Sequence, residues 1–343
     1  MKFFILSILL TLSVYSQVDD TLKFPEEVRL KNIKMLTSDG ENAEAYLSFN
    51  ENMLVYQSTF GDLQCDQIFT MNIDGTDRKM ISSGKGRTTC AYFLPGDNSI
   101  VYASTHLESN DCPPLPDRSK GYVWKLYDSF DIFSVNLDGT NLRQLTNSPG
   151  YDAEATVSPL GDKIVFTSLR DGDPELYLMD ITGSNQKRLT FEKGYDGGAF
   201  FSNDGKKLVF RASRPKTEKE LLDYNELVTE GYVRPTALEI YTMNVDGTEL
   251  KQVTNFGKAS FAPFFHPDNK RIIFSSNINS NTGRDFDLYI INIDGTGLEQ
   301  VTYHKEFDGF PMFLKDGKHL VFASNRFSKK PGETNIFVAE WND

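Results

Sequence analysis

Three short stretches of the chain place a carboxylate directly after an aromatic residue. The pairs are Tyr151-Asp152, Tyr195-Asp196 and Phe307-Asp308, with Glu154 close to the first of them. Carboxylates gathered in one place could bind a cation or the basic group of a ligand. The alternative is that each Asp caps its own turn by accepting hydrogen bonds from backbone N–H groups. The sequence leaves both interpretations open.

Two longer stretches, residues 105–129 and 214–237, add further candidates for binding. The first contains three aromatic residues, Tyr122, Trp124 and Tyr127, beside a proline-rich run, and such side chains often dominate contacts between proteins. They could instead fold down as a local core. The second contains a capping box from Thr217 to Glu220, which predicts a short helix, and an arginine near its end. The candidate contact residues in these stretches are Trp124, Tyr127 and Arg234.

Several catalytic patterns are absent from the sequence: there is no G-x-S-x-G elbow, no HExxH, no CxxC pair and no P-loop. The four histidines are His106, His266, His304 and His319. The elements predicted below place the first and third on one face and the other two on the opposite face, so no three can meet at a metal ion. We expect no cofactor. An all-oxygen Ca²⁺ site lacks a supporting pattern, because Asp171-Gly172-Asp173 is typical of a turn.

The cysteines Cys65, Cys90 and Cys112 give an odd number in a chain that we expect to be exported. An odd count of this kind indicates one disulfide and one remaining thiol. The sequence does not choose among the three pairings. Cys112 is favoured as one partner, because it lies in the proline-rich stretch and a long loop gains most from a covalent tie.

An internal repeat sets the elements that position these residues. A short strand, an Asp-Gly or Thr-Gly turn and a second strand recur, as in IFTMNIDGT from Ile68 and LYIINIDGT from Leu288. A second hairpin precedes each copy, so every repeat predicts four strands, A to D, in an antiparallel meander. The spacing of the turns fits propeller blades of about 40–45 residues, with the two stretches above as insertions.

The last repeat has strands A, B and C, and no D strand follows. Residues 33–37, with the sequence IKMLT, match the D pattern and stand before the first A strand. We therefore expect them to complete the sixth blade, which closes the ring and removes an exposed strand edge. The predicted fold is all-β, a six-bladed β-propeller over residues 29–343 with insertions at about 105–129 and 214–237.

The NxDGT turn followed by an xxLT strand resembles the repeat of the TolB-like propeller family, a relative of the WD-type propellers. The resemblance extends over about residues 33–341. It implies a periplasmic or secreted binding protein, although the chain has no room for the N-terminal α/β domain of TolB. Similar propellers include lyases that hold a metal through several histidines, and others are joined to zinc aminopeptidases.

Residues 1–16 are typical of a cleavable signal peptide, because Lys2 precedes an apolar run of twelve residues and small residues precede the expected cleavage point. No Cys lies nearby for a lipid anchor, and the run is shorter than the about 20 residues that span a bilayer. Residues 17–28 would form a linker. The net charge of −12 disfavours nucleic acid as a partner and suits solubility.

In a propeller of this kind, the A–B and C–D turns lie on one face, and the B–C loops and D-to-A connections lie on the other. Both insertions fall between strands B and C, so they rise beside the aromatic–Asp pairs on the second face, here called the loop-rich face. We expect a non-catalytic, monomeric, exported propeller that binds an envelope or secreted protein or peptide through this face and the channel mouth. The alternatives are an accessory propeller of an exported peptidase and a glycan-active hydrolase or lyase.

Overall fold

Six antiparallel sheets of four strands surround a central channel in the computed structural model, which describes residues 21–343. The predicted six-bladed β-propeller is confirmed. Each sheet is one blade, with strand A next to the channel and strand D at the rim. The predicted signal peptide, residues 1–16, and the first four residues of the predicted linker lie outside the described residues.

The first three blades follow an N-terminal strand, β1 (Leu30–Met35). Blade 1 contains β2 (Glu41–Leu47), β3 (Met53–Thr59), β4 (Gln67–Asn72) and β5 (Lys79–Met80). Blade 2 contains β6 (Thr88–Phe93) and β7 (Ser99–Ser104), then an insertion with a 3₁₀ turn (Arg118–Lys120) and β8 (Trp124–Lys125), then β9 (Asp131–Asn136) and β10 (Arg143–Gln144). Blade 3 contains β11 (Asp152–Val157), β12 (Lys163–Ser168), β13 (Glu175–Asp180) and β14 (Lys187–Arg188).

The other three blades follow in the same order. Blade 4 contains β15 (Asp196–Phe201) and β16 (Lys207–Ala212), then an insertion with helix α1 (Glu218–Thr229) and β17 (Tyr232–Val233), then β18 (Glu239–Asn244) and β19 (Lys251–Gln252). Blade 5 contains β20 (Ser260–Phe265), β21 (Arg271–Ser276), β22 (Asp287–Asn292) and β23 (Glu299–Gln300). Blade 6 contains β24 (Asp308–Phe313), β25 (His319–Ser324) and β26 (Asn335–Trp341), with β1 as its outer strand.

The second strand of a blade is apolar on both sides because each side packs against a different neighbouring blade. In β7, Ile100 and Tyr102 belong to one apolar cluster, while Val101 between them belongs to another that includes Phe166 of blade 3. These four side chains are at most 2% exposed. Blade-to-blade packing is therefore the core of the protein, and it keeps the innermost strands in place.

A threonine in the xxLT motif ties the outer strand of a blade to its third strand. In blade 3, the backbone N–H of Leu176 donates to the Thr190 hydroxyl at 2.9 Å. In blade 6, the same bond runs from Ile336 to Thr37, which also donates to Asn335. The last blade therefore takes its threonine from the other end of the chain.

The predicted ring closure is confirmed, and the closing strand begins three residues earlier than expected. Strand β1 pairs antiparallel with β26, with Lys34 opposite Val338. The pairing continues beyond the strand, because the N–H of Leu36 donates to the carbonyl of Ile336 at 2.7 Å.

The described part of the predicted linker packs against blade 6. Glu27 is fully buried, and its carboxylate accepts from both terminal nitrogens of Arg326, at 2.9 and 3.1 Å. Arg326 is also fully buried, and it pairs with Asp308 at 3.0 Å. This segment therefore fastens the closed ring with a buried charge network.

The two insertions form one structure on the loop-rich face. Strand β8 of the first pairs with β17 of the second, a contact that the sequence did not suggest. The predicted helix is confirmed as α1, with both halves of its capping box formed by Thr217 and Glu220. A disulfide joins Cys65 to Cys112, which confirms Cys112 as one partner and leaves Cys90 free.

Structural disulfides are typical of proteins outside the cytoplasm, so the Cys65–Cys112 bond agrees with an extracytoplasmic address. Within residues 21–343, none of the helices has the length and apolar character that a bilayer span requires.

The closure can be tested by truncation. A chain that begins at Ser38 lacks β1, Thr37 and Glu27, so it presents the unpaired edge of β26 and leaves Arg326 with one carboxylate fewer. We expect its melting temperature to fall by about 10 °C or more and the chain to self-associate. Calorimetry and light scattering measure both, with a chain that begins at Thr21 as the control. Equal melting temperatures and equal monomer content would show that β1 does not stabilise the ring.

The carboxylates around Arg326 predict a pH dependence of stability. Burial, Asp308 and Glu27 together raise the pKa of Asp287 to about 8, from about 4 in an unfolded chain. The folded state therefore favours the protonated acid. The stability that protonated Asp287 contributes is lost as the pH rises from about 4 through 8. We expect Asp287→Asn to raise the melting temperature more at pH 8 than at pH 5. Asp62→Asn, in an exposed loop, is the control, and a gain independent of pH would contradict the account.

Candidate functional site

One residue at the same place in each innermost strand has a left-handed backbone conformation. The six residues have φ between 48° and 59°, and each lies at a shift in the pairing of strands A and B. Such a bulge redirects a side chain. All six line a small space in the channel. They are called the bulge ring here: Glu44, Cys90, Glu154, Gly198, Ala262 and Phe310.

The bulge ring has two unlike halves. Blades 1 to 3 contribute Glu44, Cys90 and Glu154, which can carry charge or donate hydrogen bonds. Blades 4 to 6 contribute only Gly198, Ala262 and Phe310. The channel therefore has an acidic side and an apolar side at the same level.

The Glu154 carboxylate is fully engaged in hydrogen bonds. It accepts from the Thr167 hydroxyl at 2.6 Å, from the Gly198 N–H at 2.9 Å and from the Tyr195 hydroxyl at 3.0 Å. It also pairs with the guanidinium of Arg211, which donates to the Tyr195 oxygen at 2.7 Å. The charge and the hydrogen-bonding capacity of Glu154 are thus satisfied by Thr167, Tyr195, Gly198 and Arg211, and these five residues are called the Glu154 cluster here.

Two glycines make room for this cluster. A Cβ on Gly197 would lie 2.3 Å from the Tyr195 hydroxyl and 2.5 Å from a Glu154 oxygen. A Cβ on Gly198 would lie 1.9 Å from a terminal nitrogen of Arg211. A larger residue at either place would displace the Arg211–Glu154 pair.

Arg211 connects the ring to the first insertion. Its guanidinium carbon lies 5.1 Å from the ring centroid of Trp124, within the range of a cation–π interaction. Burial alone would lower the pKa of Arg211, but the neighbouring Glu154 and Tyr195 outweigh burial and raise it. Arg211 is 8% exposed, and its Nε atom has no hydrogen-bond partner among the described residues.

Glu44 is the second carboxylate of the ring, and no Lys or Arg of the described chain forms an ion pair with it. Its pKa is raised to about 7, chiefly by burial and also by the charge of Glu154, while a hydrogen bond with Cys90 and the charge of Arg211 lower it. Burial likewise raises the pKa of the Cys90 thiol. Glu44 is therefore the carboxylate of the ring that has no ion-pair partner among the described residues.

A cavity of about 980 Å³ lies over the bulge ring on the loop-rich face, and it is called the mouth cavity here. Glu44, Cys90 and Glu154 form part of its floor. Its walls combine both insertions, the loop between β21 and β22, and the connection before β20. The wall residues include Trp124, Leu126, Pro235, Lys258, Phe261, Arg284, Phe286 and Phe307. The opposite mouth has a depression of about 80 Å³.

Five of the residues predicted from the sequence meet in this cavity, namely Trp124, Tyr151, Glu154, Tyr195 and Phe307. The aromatic members of the three pairs therefore lie at the channel mouth. Their aspartates do not.

The expectation that the three aspartates gather at the channel mouth is wrong. Each is at most 1% exposed and pairs with an arginine two residues beyond strand B of its blade. Each Asp begins strand A opposite the end of strand B, so the arginine reaches it inside the blade. The pairs are Asp152–Arg170 at 2.9 Å, Asp196–Arg214 at 2.6 Å and Asp308–Arg326 at 3.0 Å.

Tyr127 and Arg234 also differ from the prediction, because both make hydrogen bonds within the structure of the insertions. Tyr127 is buried, and its hydroxyl donates to the carbonyl of Pro114 at 2.5 Å. Arg234 donates to both oxygens of Asp223, at 2.9 and 3.0 Å, and to the carbonyl of Lys120. The local-core alternative therefore holds for Tyr127, whereas Trp124 faces the cavity.

The histidines have structural neighbours. His106 lies 2.8 Å from the Ser104 hydroxyl, and His266 packs against the ring of Phe313. Among residues 21–343, no three His, Cys, Asp or Glu side chains are grouped so that they could hold a metal ion.

The site residues that sequence reasoning missed include Glu44, Cys90, Gly198, Arg211 and Phe310. The sequence did contain a signal for Arg211, because it is a charged residue within a largely apolar B strand. The other blades have uncharged residues at the same position: Gln57, Ala103, Thr167, Ser275 and Ala323. The Gly197-Gly198 pair inside a strand is a second signal, since glycine there often marks a close approach.

Known proteins agree with this architecture. A family profile described as "TolB beta propeller domain" matches residues 116–231 and 231–343. The protein TolB homolog of Chlorobium luteolum is 42% identical over 50 residues, which cover 15% of this chain and 12% of that relative.

Solved structures agree as well. TolB from Acinetobacter baumannii superposes with a TM-score of 0.56 at 18% identity, over 88% of this chain and 63% of that one. An oligogalacturonate lyase in complex with manganese gives 0.53 at 14% identity, over 91% of this chain and 93% of that one. The chain thus covers less than two thirds of these two TolB relatives, and similarity to the solved structures at these identities shows the fold alone.

The role of Gly198 can be tested by adding one methyl group. Gly198→Ala puts a Cβ into the Arg211 guanidinium, whereas Gly139→Ala adds one where no atom lies within 4 Å. Both glycines have positive φ, so both variants bear backbone strain. We expect Gly198→Ala to lose about 1–3 kcal/mol more unfolding free energy than the control in urea titrations. Equal losses would mean that Arg211 does not need the space.

Proposed function

The chain belongs to the TolB β-propeller domain family, and from this premise we propose that it is an exported, non-catalytic propeller that binds a segment of a protein or peptide in the mouth cavity. The difference between the two ends of the channel supports this proposal most directly. The mouth cavity measures about 980 Å³, against about 80 Å³ at the opposite mouth. The larger value is at the upper end of the about 300–1,000 Å³ typical of ligand pockets.

The walls of the cavity suit an extended segment with apolar side chains. Trp124 comes from one insertion, while Phe261, Phe286 and Phe307 come from the blades. The pairing of β8 with β17 and the hydrogen bond from Arg234 to the carbonyl of Lys120 hold the insertions in one arrangement. A binding wall fixed in advance reduces the entropy lost on binding.

The chemistry of the ring favours binding over catalysis. Hydrolysis of a glycosidic bond usually needs two carboxylates free to act. All the hydrogen bonds of Glu154 are made within its cluster, so Glu44 alone is left for such a role. Burial keeps Cys90 as a thiol, and a thiol is a poor nucleophile.

An extracytoplasmic address agrees with the disulfide, and the signal peptide over residues 1–16 remains a prediction. We propose that the partner is an envelope or secreted protein and that the propeller is a monomer. A peptidase as the partner, or an oligosaccharide as the ligand, would replace the proposal with one of the two alternatives from the sequence.

Peptide binding can be measured with ligands selected by display against the immobilised protein. We expect Trp124→Ala to weaken the selected peptides by about 2 kcal/mol, or roughly thirtyfold in Kd by fluorescence anisotropy, because it removes the aromatic wall that one insertion provides. Trp124→Phe should restore part of the affinity. Leu160→Ala, at an exposed residue of the opposite face, is the control.

Unchanged melting temperatures are required of all three variants, so that a loss of affinity reports on the cavity. Peptides that respond to Leu160→Ala and not to Trp124→Ala would place binding on the opposite face. Cleavage of an oligosaccharide by the purified protein would contradict the non-catalytic proposal.

A further inference from the structure

The floor of the mouth cavity has more negative than positive charge. Arg211 forms an ion pair with Glu154, and the same terminal nitrogen also donates to the Tyr195 oxygen. The Arg211 Nε atom has no hydrogen-bond partner among the described residues. Glu44 has no ion-pair partner in the described chain. The half of the ring in blades 1 to 3 therefore has one unbalanced carboxylate that faces the cavity.

Aromatic side chains lie on the other side of Glu44. Phe310 of blade 6 is next to Glu44 of blade 1 in the closed bulge ring. The phenyl group of Phe310 lies 6.0 Å from that of Phe307 and 5.7 Å from that of Phe261. All three line the mouth cavity together with Glu44. A carboxylate beside several aromatic faces is the environment that stabilises an organic cation, through charge on one side and the ring quadrupoles on the other.

The rim of the cavity has the opposite charge. Lys258 and Arg284 are exposed wall residues, and Lys125 of β8 also lines the cavity. A ligand with a cation at its tip and acidic or neutral groups behind it would match this order of charges from floor to rim. An anionic tip would face the unpaired carboxylate.

We propose that Glu44 and the neighbouring phenylalanines form a subsite for one ammonium or guanidinium group of the bound peptide. This subsite rests on the proposed function, since it names the chemistry that the mouth cavity selects. The cation comes from a Lys or Arg side chain or from a free N-terminus, which share the same chemistry. Glu44 is the residue that determines the preference for positive charge.

Cys90 is a built-in reporter for this floor. It is the free cysteine of the three, it lines the mouth cavity, and it is next to Glu44 in the ring. Methanethiosulfonates react with a thiolate at the sulfenyl sulfur, forming a mixed disulfide and releasing methanesulfinate. The reagents with a trimethylammonium-ethyl or a sulfonatoethyl group differ in charge, so their rate ratio at Cys90 measures the local potential. The fraction of Cys90 present as thiolate is the same for both reagents, so it cancels from the rate ratio.

We expect the cationic reagent to be favoured over the anionic one by on the order of tenfold, relative to their ratio with 2-mercaptoethanol. Glu44→Gln should bring this preference to within about threefold of the solution ratio. Asp138→Asn, in an exposed turn of the opposite face, should leave it unchanged. A wild-type ratio equal to that in solution, or one that Glu44→Gln does not change, would overturn the subsite. If the small neutral methyl methanethiosulfonate modifies Cys90 and neither charged reagent does, the floor does not admit a charged group and the subsite is overturned.

Protection of Cys90 from the neutral methyl methanethiosulfonate identifies the source of the cation. The probes are acetyl-Phe-Lys-Phe-amide, Phe-norleucine-Phe-amide with a free N-terminus, and acetyl-Phe-norleucine-Phe-amide. Protection by the first supports a side-chain cation, and protection by the second supports an N-terminal amine. Equal protection by all three, or protection that survives Glu44→Gln, would overturn the subsite and leave the peptide-binding proposal standing.

Discussion

Six innermost strands have to meet around one narrow axis, and the left-handed bulge residue in each of them is the constraint on which the site depends. The bulge brings one side chain per blade to the same level of the channel. The repeat therefore fixes the six positions, while their residue types are free to differ. In this chain the blades supply acids and a thiol on one side, and small or aromatic residues on the other.

The fold could be predicted because its signals are local and repeated. The turn glycines and the xxLT threonines each act within one blade, so short stretches of sequence contain them completely. Ring closure could be predicted for the same reason, since Thr37 belongs to a recognisable copy of the motif. Its hydrogen bond to Ile336 joins the two ends of the described chain, and the missing D strand pointed to it.

The site was harder to predict because its contacts cross between blades. Glu154 and Arg211 are 57 residues apart, and their pairing depends on the twin glycines of β15, of which Gly198 has no counterpart in the other blades. The aspartates of the aromatic–Asp pairs were misplaced for a different reason. Each lies 18 residues before its arginine, as in Asp152–Arg170 and Asp308–Arg326, and this constant separation was a usable signal of an internal pair.

Most of the buried charges discussed here have an ion-pair partner, whereas Glu44 has none among the described residues and lines the mouth cavity. This difference carries the central claim, that the mouth cavity holds a peptide segment with a cationic group at its floor. A crystal structure of the protein with a display-selected peptide tests it most directly. The account predicts the peptide between the two insertions, with an ammonium or guanidinium nitrogen about 3 Å from a Glu44 oxygen. A peptide bound on the opposite face, or one with an uncharged group against Glu44, would contradict it.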